Sequence, residues 1–465
     1  MKYSFCVLFV LMALSIKASE ISECIDSKKI IDDKVKCLPG VTVVSSSSFG
    51  GDRKLVLQFE QPVDHKNLKS EKFKQKLVLI HIGEKRPMVL QTSGYEIFSE
   101  RRSRLASEFD TNQIQVEHRF FAKSKPKKVD WSKLDIKQSA DDFHAITVAF
   151  KNIYKKPWVN TGASKGGMTS VYHRYFYPDD LAGTVADVAP LSFARGDKRY
   201  IGFVRDVGGH KFESCRNELE RIQIKALENK EELSKRLVGN YDKQGGKEAV
   251  FQVATTELAF VFWQYQKVSS SVCDILAEKV TLDDIFSFIE IIGQPSDDKR
   301  YSRFSPYYYQ AYTELGYPGD LVDNFDHLLD PKNDSDETLS KTFFGGTPIK
   351  YSNKSMNEVK KWAETKADNV MYVYGEFDPW TAGEFPISKT GKNVYKYNVK
   401  GGTHAVNFNY LSGAELREAK TILRSWFGLS PSKSKKKKSK LQQREQKSLS
   451  LDEVEEEFRK KFKLM

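Results

Sequence analysis

The sequence has none of the short motifs that hold a metal ion or a nucleotide phosphate. We find no HExxH, no CxxC pair and no P-loop in its 465 residues. A metal-dependent or nucleotide-dependent mechanism therefore has no motif support, and we expect no cofactor and no metal site. Internal repeats are also missing from the sequence.

Long apolar runs are missing after the N-terminus, where no segment reaches the roughly 18 apolar residues of a membrane span. The start, MKYSFCVLFVLMALSIKASE, combines Lys2, an apolar run from Phe5 to Leu14, and Ala18 before a cleavage point. This pattern predicts a signal peptide over residues 1–18, with an uncleaved anchor as the alternative. We expect a soluble product without stable membrane insertion, either secreted or delivered to a lysosome or vacuole.

Cysteine is scarce, and its distribution fits export. One of the five cysteines, Cys6, lies in the predicted signal peptide, which leaves four in the exported chain. An even number predicts two disulfides, although four cysteines allow three connectivities. We favour Cys24–Cys37 and Cys215–Cys273 because each pair is local, and buried free thiols are the alternative. Two glycosylation sequons, which begin at Asn333 and Asn353, are consistent with the same route.

Positive charge is in excess, but it is unevenly spread. The formal net charge is +12, and residues 431–465 carry 12 Lys or Arg against 6 Asp or Glu, a net of +6. The body is only mildly basic, so we do not expect nucleic-acid binding. We interpret residues 430–465 as a basic low-complexity tail, a disordered appendage whose alternative role is binding to acidic polymers or lipid surfaces.

Strand-like and helix-like segments alternate in two parts of the chain. Apolar strand patterns occur in KLVLQFEQPVDH, KFKQKLVLIHIG, RPMVLQ, NQIQV and KPWVN, and again in VMYVY and VYKYNV. Alternation of strands with helices predicts an α/β fold with a mostly parallel sheet. The middle of the chain, which includes CRNELERIQIKALENKEEL, is helical in composition. We predict a core of two parts, 19–203 and 340–429, with a helical cap inserted over 204–339.

Ser164 lies in the pattern GASKG, which has glycines two residues to either side. A serine that attacks a carbonyl needs an exposed Oγ, a base, and donors for the oxyanion. A sharp strand-to-helix turn with small neighbours provides the exposure. The strand KPWVN precedes Ser164, and a segment of helical composition follows it as far as Pro178. The context predicts a nucleophile, and a harmless glycine-rich bend is the alternative.

An acid and a base follow later strands of the predicted core. Asp378 follows VMYVY, and His404 follows VYKYNV and a Gly-Gly turn. The order serine, acid, histidine is the one used with this turn, and strand ends are where open α/β sheets build their sites. Asp187, at the end of another strand, is the reserve acid. The remaining candidates are ordinary surface or packing histidines: His65, His81, His118 and His144, which precede the nucleophile, and His173, which lies in the helix after it.

The oxyanion donors are expected on two segments. One is the backbone N–H of Lys165, directly after the nucleophile, and the other belongs to the early loop TSGYE. In this loop, Gly94 and Tyr95 are the candidates. Simple packing is the alternative role for Tyr95.

Six blocks occur in a fixed order: FEQPVDH, RPMVLQTSGY, VEHRFF, GASKGGMTSVYHRYFYPDDLAGTVADVAP, YGEFDPW and GGTHAVNF. Together they resemble the secreted tripeptidyl aminopeptidase family of serine peptidases, which is similar to lysosomal prolyl carboxypeptidase and dipeptidyl peptidase II. The resemblance spans Phe59 to Trp426 and leaves the basic tail out. It implies an α/β-hydrolase fold with an inserted helical cap, the triad Ser164, Asp378 and His404, and release of short peptides from chain ends.

The sequence leaves open whether the N-terminus or the C-terminus of a peptide substrate is recognised. An aminopeptidase needs a carboxylate for the substrate's ammonium group, and Glu96 and Glu117 are the candidates. The alternative for Glu117 is a salt bridge to Arg119 or to another basic group. In a carboxypeptidase, Arg119 would itself be the anchor. Trp380 is a candidate wall for a proline-sized pocket, or else part of the core.

The leading interpretation is an exported serine exopeptidase that acts on peptide substrates. It would release tripeptides or dipeptides from free N-termini. Whether it prefers substrates that contain proline is left open. The alternatives are a prolyl carboxypeptidase-like enzyme, a lipase or esterase, and a non-catalytic secreted binding protein. The sequence does not indicate an oligomeric state.

Overall fold

The structure is a computed structural model that describes residues 19–266, 273, 280–319, 324–331, 335–388 and 390–431. The predicted signal peptide, the sequon at Asn333 and residues 432–465 of the basic tail lie outside these residues.

Nine strands form one mixed sheet in the order β1-β2-β3-β5-β4-β6-β7-β8-β9. Their bounds are β1 Val41–Phe49, β2 Asp52–Pro62, β3 Lys72–His81, β4 Met88–Thr92, β5 Asn112–Val116, β6 Trp158–Ala163, β7 Gly183–Asp187, β8 Val370–Gly375 and β9 Val394–Val399. All seven apolar strand patterns are present, and so is the strand expected before Asp187, which is β7. Strand β1 was not predicted.

The expectation of a mostly parallel sheet is wrong for the first half of the sheet. Strand β2 pairs antiparallel with β1 and with β3, and β3 pairs antiparallel with β5. Parallel pairing joins β4 to β5 and to β6. The physical reason is the short connections between β1, β2 and β3, because a parallel crossover needs a dozen or more residues.

Among the described residues, more lie in α-helices than in strands. Residues 19–27 are helical, and the other α-helices are Ile31–Lys34, Arg104–Phe109, Ile136–Phe150, Lys165–Phe176, Arg199–Asp206, Glu213–Glu228, Lys230–Lys235, Lys247–Thr256, Leu258–Tyr265, Leu282–Phe288, Asp298–Gln310, Asp336–Phe343, Lys354–Thr365 and Gly413–Trp426. Among the described residues, no strand lies between Arg199 and Phe343. The chain therefore has the α/β-hydrolase fold; the cap boundaries 204 and 339 stay a prediction.

The chain divides into two compact units. Among the described residues, the first comprises 19–186, 368–370 and 419–430. Its core follows from the alternation of buried residues along β2, where Leu55 lies opposite Leu79 of β3, and Leu57 opposite Leu77. These leucines belong to one buried cluster with Phe143, Ile146 and Phe150, which recur at helical spacing on Ile136–Phe150.

The second unit comprises the described residues of 187–367 and 371–418, together with Pro431. Its main cluster is formed by helical residues such as Leu219, Ile222 and Phe251. Phe377 joins this cluster from the loop after β8, with its ring 5.2 Å from that of Phe212. The helical core therefore anchors the residue that directly precedes Asp378.

Candidate active site

Ser164 occupies a sharp turn between a strand and a helix. It follows β6, which ends at Ala163, and it precedes the helix Lys165–Phe176. Its backbone has φ 55° and ψ −128°, a conformation that is rare for a residue with a side chain. Its carbonyl accepts the helical hydrogen bond of Met168 at 3.0 Å. This is the strained turn predicted for a nucleophile.

Small residues around Ser164 allow the strand, the helix and β4 to approach closely. A Cβ on Gly162 would lie 2.3 Å from the carbonyl oxygen of Gly166, and a Cβ on Gly166 would lie 2.5 Å from the carbonyl oxygen of Thr92. The Thr92 hydroxyl donates to that Gly166 carbonyl at 2.7 Å. The glycines of the motif are thus required by packing against backbone atoms, which have little freedom to move.

Replacing Gly162 by alanine is expected to destabilise the protein by about 1–3 kcal/mol, because its Cβ would overlap backbone atoms. Turnover should also fall, because the turn must shift. Chemical denaturation and a peptide assay measure the two effects. Gly202→Ala is the matched control, since a Cβ there meets nothing within 4 Å. In the exposed helix Arg199–Asp206 it should stabilise by roughly 0.5–1 kcal/mol. Equal effects of both variants would contradict the packing account.

The loop predicted to supply an oxyanion donor lies directly against this turn. Gly94 has φ +71°, and a Cβ on it would lie 2.4 Å from the backbone nitrogen of Gly166. The N–H of Ser93 donates to Val116 at 3.2 Å, and the carbonyl of Tyr95 accepts from the N–H of His118 at 2.9 Å. The first unit therefore brings the predicted donor loop into contact with the start of the nucleophile helix.

Asp378 and His404 form a hydrogen-bonded pair in the second unit. Nδ1 of His404 lies 2.7 Å from Oδ2 of Asp378, and the two side chains are 6% and 0% exposed. A carboxylate can only accept, so Nδ1 carries the proton and the neutral ring presents Nε2 as an acceptor. Nε2 is buried and has no hydrogen-bond partner among the described residues. The ring is therefore oriented to accept a proton at Nε2.

Backbone contacts fix the two loops that carry this pair. The N–H of Phe377 donates to Gly402 at 2.8 Å, and the N–H of His404 donates to Gln264 at 2.9 Å. Oδ1 of Asp378 accepts from the N–H of Trp380 at 3.1 Å. Both oxygens of the carboxylate are thus engaged, and its orientation toward His404 is set by the turn that follows β8.

Two aromatic rings of the second unit lie near the imidazole of His404. The Trp380 ring lies 6.2 Å from the imidazole, and the half-exposed Tyr265 ring lies 6.1 Å from it. Trp380 also makes edge contacts with Tyr200 at 5.5 Å and Phe260 at 5.2 Å. Trp380 is therefore packed in an aromatic cluster and also lies near the histidine, so the two roles weighed for it are compatible.

The structure corrects the expectations for Glu117 and Arg119. Glu117 is 3% exposed; it accepts from the Ser124 hydroxyl at 2.6 Å and from the N–H of Ile97 at 3.2 Å. Arg119 is fully buried and binds Asp142 through two nitrogens, at 2.7 and 2.9 Å. These contacts take the place of a salt bridge to Arg119, which was one of the alternatives for Glu117. Burial also removes Glu117 as an amine anchor and Arg119 as a carboxylate anchor.

The other candidates lie at the following positions, and the roles considered for Glu96 and Asp187 stay predictions. Glu96 is partly buried in the donor loop, and Asp187 ends β7. The histidines set aside as packing residues have these partners: His65 with Asp142, His81 with Tyr154, His118 with the Arg119 carbonyl, and both His144 and His173 with Asp180. The two remaining histidines, His210 and His327, are exposed beside Glu213 and Asp326.

Acidification is expected to destabilise the first unit. Burial lowers the pKa of His118, with a smaller contribution from the Lys165 charge, and burial also lowers the pKa of His173. The unfolded chain then binds more protons than the folded one below the ordinary histidine pKa of about 6.5. The free energy of unfolding should fall as the pH drops from 7.5 to 5.5, which urea denaturation measures. His173→Gln should reduce this fall; an unchanged or rising stability would contradict the assignment.

Both predicted disulfides are present, Cys24–Cys37 and Cys215–Cys273. Asn353 is exposed, and its side-chain nitrogen donates to the Phe193 carbonyl at 3.1 Å. Within the described ranges, no group of three or more His, Cys, Asp or Glu residues could hold a metal ion. No helix there is long and apolar enough to cross a membrane.

The comparison with protein families decides the class. The family model described as PS-10 peptidase S37 matches residues 25–459. The chain belongs to the S37 peptidase family. The match includes most of the basic tail, which the sequence analysis had placed outside the resemblance. This S37 peptidase is a serine peptidase, as the motifs around Ser164 predicted.

The S37 peptidase is also similar to individual known proteins. The S37 peptidase is similar to a prolyl tri/tetrapeptidyl aminopeptidase of Streptomyces mobaraensis, with 34% identity over 423 residues that cover 86% of each chain. Among solved structures it is similar to VinJ, with 13% identity, a TM-score of 0.38 and coverage of 83% of this chain and 100% of that one. It is also similar to the proline iminopeptidase of Mycobacterium smegmatis, with 14% identity, a TM-score of 0.38 and coverage of 82% and 97%.

Proposed function

We propose that this S37 peptidase is an exported exopeptidase that releases peptides of three or four residues from free N-termini. The observation that carries the catalytic part is the 2.7 Å hydrogen bond between Asp378 and His404, which leaves Nε2 of the imidazole as a proton acceptor. The fragment length, the N-terminal polarity and a preference for proline rest on the name of the Streptomyces mobaraensis relative. The two disulfides and the apolar N-terminus support export.

The proposed chemistry proceeds through an acyl-enzyme. Oγ of Ser164 forms a bond to the scissile carbonyl carbon, its proton passes to Nε2 of His404, and the π electrons move to the carbonyl oxygen. Asp378 orients the imidazole and stabilises its charged form. The intermediate then expels the amine of the remaining peptide, which takes the proton from His404. Water, deprotonated by His404, then attacks the ester carbonyl carbon. The second intermediate expels Oγ of Ser164, which takes the proton back from His404, and the short N-terminal peptide is released.

The aromatic cluster supports a substrate whose scissile residue is compact and apolar. Trp380 lies beside His404 and is held by edge contacts with Tyr200 and Phe260. A rigid aromatic face beside the catalytic base suits a proline ring, which packs on such faces without losing rotamer freedom. A C-terminal exopeptidase is less well supported, since Arg119, its candidate anchor, is buried against Asp142.

Mass spectrometry of the cleavage products tests the proposal, with one peptide sequence prepared in four forms that differ in their end groups. The peptide carries proline at the third position, and each end is either free or blocked by acetylation or amidation. We expect a tripeptide product whenever the N-terminus is free, and no product when it is acetylated. Cleavage that depends instead on a free C-terminus would reverse the polarity. Turnover of acyl esters without any peptide cleavage would favour a lipase or esterase.

A further inference from the structure

The side chain of Lys165 folds back onto the loop that contains Gly94 and Tyr95. Lys165 is 3% exposed, although lysine rarely gives up its hydration. Its Nζ donates to the Gly94 carbonyl at 2.8 Å. It also lies 5.7 Å from the centre of the Tyr95 ring and 5.5 Å from that of Phe121. The side chain therefore makes cation–π contacts with both rings.

Lys165 therefore joins the two segments that supply the proposed oxyanion donors. Its backbone N–H directly follows Ser164, and its ammonium group holds the peptide between Gly94 and Tyr95. In a trans peptide the C=O of one residue and the N–H of the next point in opposite directions. A group that holds the Gly94 carbonyl thus also fixes the direction of the Tyr95 N–H.

The backbone peptide unit between Gly94 and Tyr95 needs such a restraint. Gly94 has φ +71° and no Cβ, so the adjoining peptide planes can rotate more easily than those beside other residues. Neighbouring parts of the loop are held elsewhere: the Tyr95 carbonyl accepts from His118, and the N–H of Ile97 donates to Glu117. The Gly94 carbonyl itself is held by the hydrogen bond from the Lys165 side chain.

We propose that the Lys165 side chain positions the oxyanion hole, holding the Gly94 carbonyl so that the Tyr95 N–H donates to the developing negative charge. This inference rests on the proposed serine-peptidase mechanism and assigns Tyr95, rather than Gly94, as the second donor. Charge-assisted donation to the carbonyl also polarises the peptide and makes its N–H a stronger donor. Lys165 is thus a positioning residue through its side chain, in addition to the role proposed for its backbone N–H.

The test replaces Lys165 by methionine, whose apolar chain fits between the same two rings. Loss of one oxyanion donor lowers kcat by about 10²–10³-fold. We expect a loss in that range for Lys165→Met, with KM unchanged within about threefold because ground-state binding is retained. A peptide aldehyde, which forms a tetrahedral adduct with the serine, should bind more weakly by the same factor as kcat/KM falls. The matching peptide alcohol, which forms no adduct, should bind as it does to the wild type.

Lys137→Met is the matched control. Nζ of Lys137 also lies over two rings, 5.4 Å from the centre of Phe176 and 5.0 Å from that of Tyr177, in the same unit. It should leave kcat and both inhibition constants unchanged within about twofold, since it touches no proposed donor. Lys165→Gln, which removes the charge and shortens the chain, is measured in parallel and should behave like Lys165→Met.

The proposal is overturned if a folded Lys165 variant retains kcat within threefold, or if aldehyde and alcohol binding weaken equally. It is also overturned if neither variant folds, because Lys165 would then be a determinant of stability alone. Failure of the proposed mechanism itself would give a different result: the wild type would neither cleave the peptide nor bind the aldehyde more tightly than the alcohol.

Discussion

Replacing Ser164 by alanine is expected to lower peptide turnover by at least about 10⁴-fold while the protein remains folded. The hydroxyl is the atom that forms the acyl-enzyme, and the remaining groups have no other nucleophile to activate. The backbone at Ser164 has φ 55°, and alanine adopts this conformation at much the same cost as serine, since both carry a Cβ. Steady-state kinetics on a tripeptide-releasing substrate and circular dichroism measure activity and fold.

Ser139→Ala is the matched control for this variant. Ser139 belongs to the same unit and is buried, and its hydroxyl donates to the Asp135 carbonyl at 2.9 Å. Its removal should cost about 1 kcal/mol of stability and leave turnover unchanged. A folded Ser164→Ala protein that keeps a tenth or more of wild-type turnover would exclude Ser164 as the nucleophile.

Asp378→Asn is expected to lower kcat by about 10⁴-fold, again without loss of the fold. Oδ1 of Asp378 accepts from the N–H of Trp380, and asparagine retains this bond only when its amide nitrogen faces His404. That nitrogen donates to Nδ1, so the proton of the imidazole moves to Nε2. The ring then lacks the lone pair that would accept the Ser164 proton. Stopped-flow or steady-state kinetics measure the loss.

Asp180→Asn controls for the general effect of removing a buried carboxylate. Asp180 accepts from two histidines, His144 and His173, at 2.8 and 2.9 Å, yet it has no part in the proposed reaction. This variant should lose stability and keep kcat within about threefold, because no reacting group changes. Equal losses of kcat in both variants would indicate that Asp378 acts through stability rather than through the tautomer of His404.

Local chemistry explains why the catalytic candidates could be predicted from the sequence. The strained turn at Ser164 requires small neighbours, and the glycines two residues before and after it can be read directly from the sequence. Asp378 and His404 each follow an apolar strand, so their positions could be inferred from strand pattern alone. Their hydrogen bond, at a separation of 26 residues, was the expected consequence. Disulfide pairing by local loops was predictable in the same way.

Tertiary contacts explain what could not be predicted. The letters EHR do not show that Glu117 binds the Ser124 hydroxyl or that Arg119 turns to Asp142, because both partners depend on burial in the folded unit. The Lys165 side chain is similar, since a lysine in a motif gives no sign that it will lie between two rings. Strand β1 did carry a signal: Gly50 and Gly51 between two strand-like runs are typical of a hairpin. The serine-rich sequence of β1 obscured it.

The central claim is that Ser164 is the acylated nucleophile of an S37 exopeptidase, and mapping of a covalent adduct tests it most directly. The folded protein is treated with a fluorophosphonate, digested, and analysed by tandem mass spectrometry. We predict a single adduct on Ser164 and no labelling of Ser164→Ala. An adduct on another residue, or undiminished labelling of Ser164→Ala, would contradict the account.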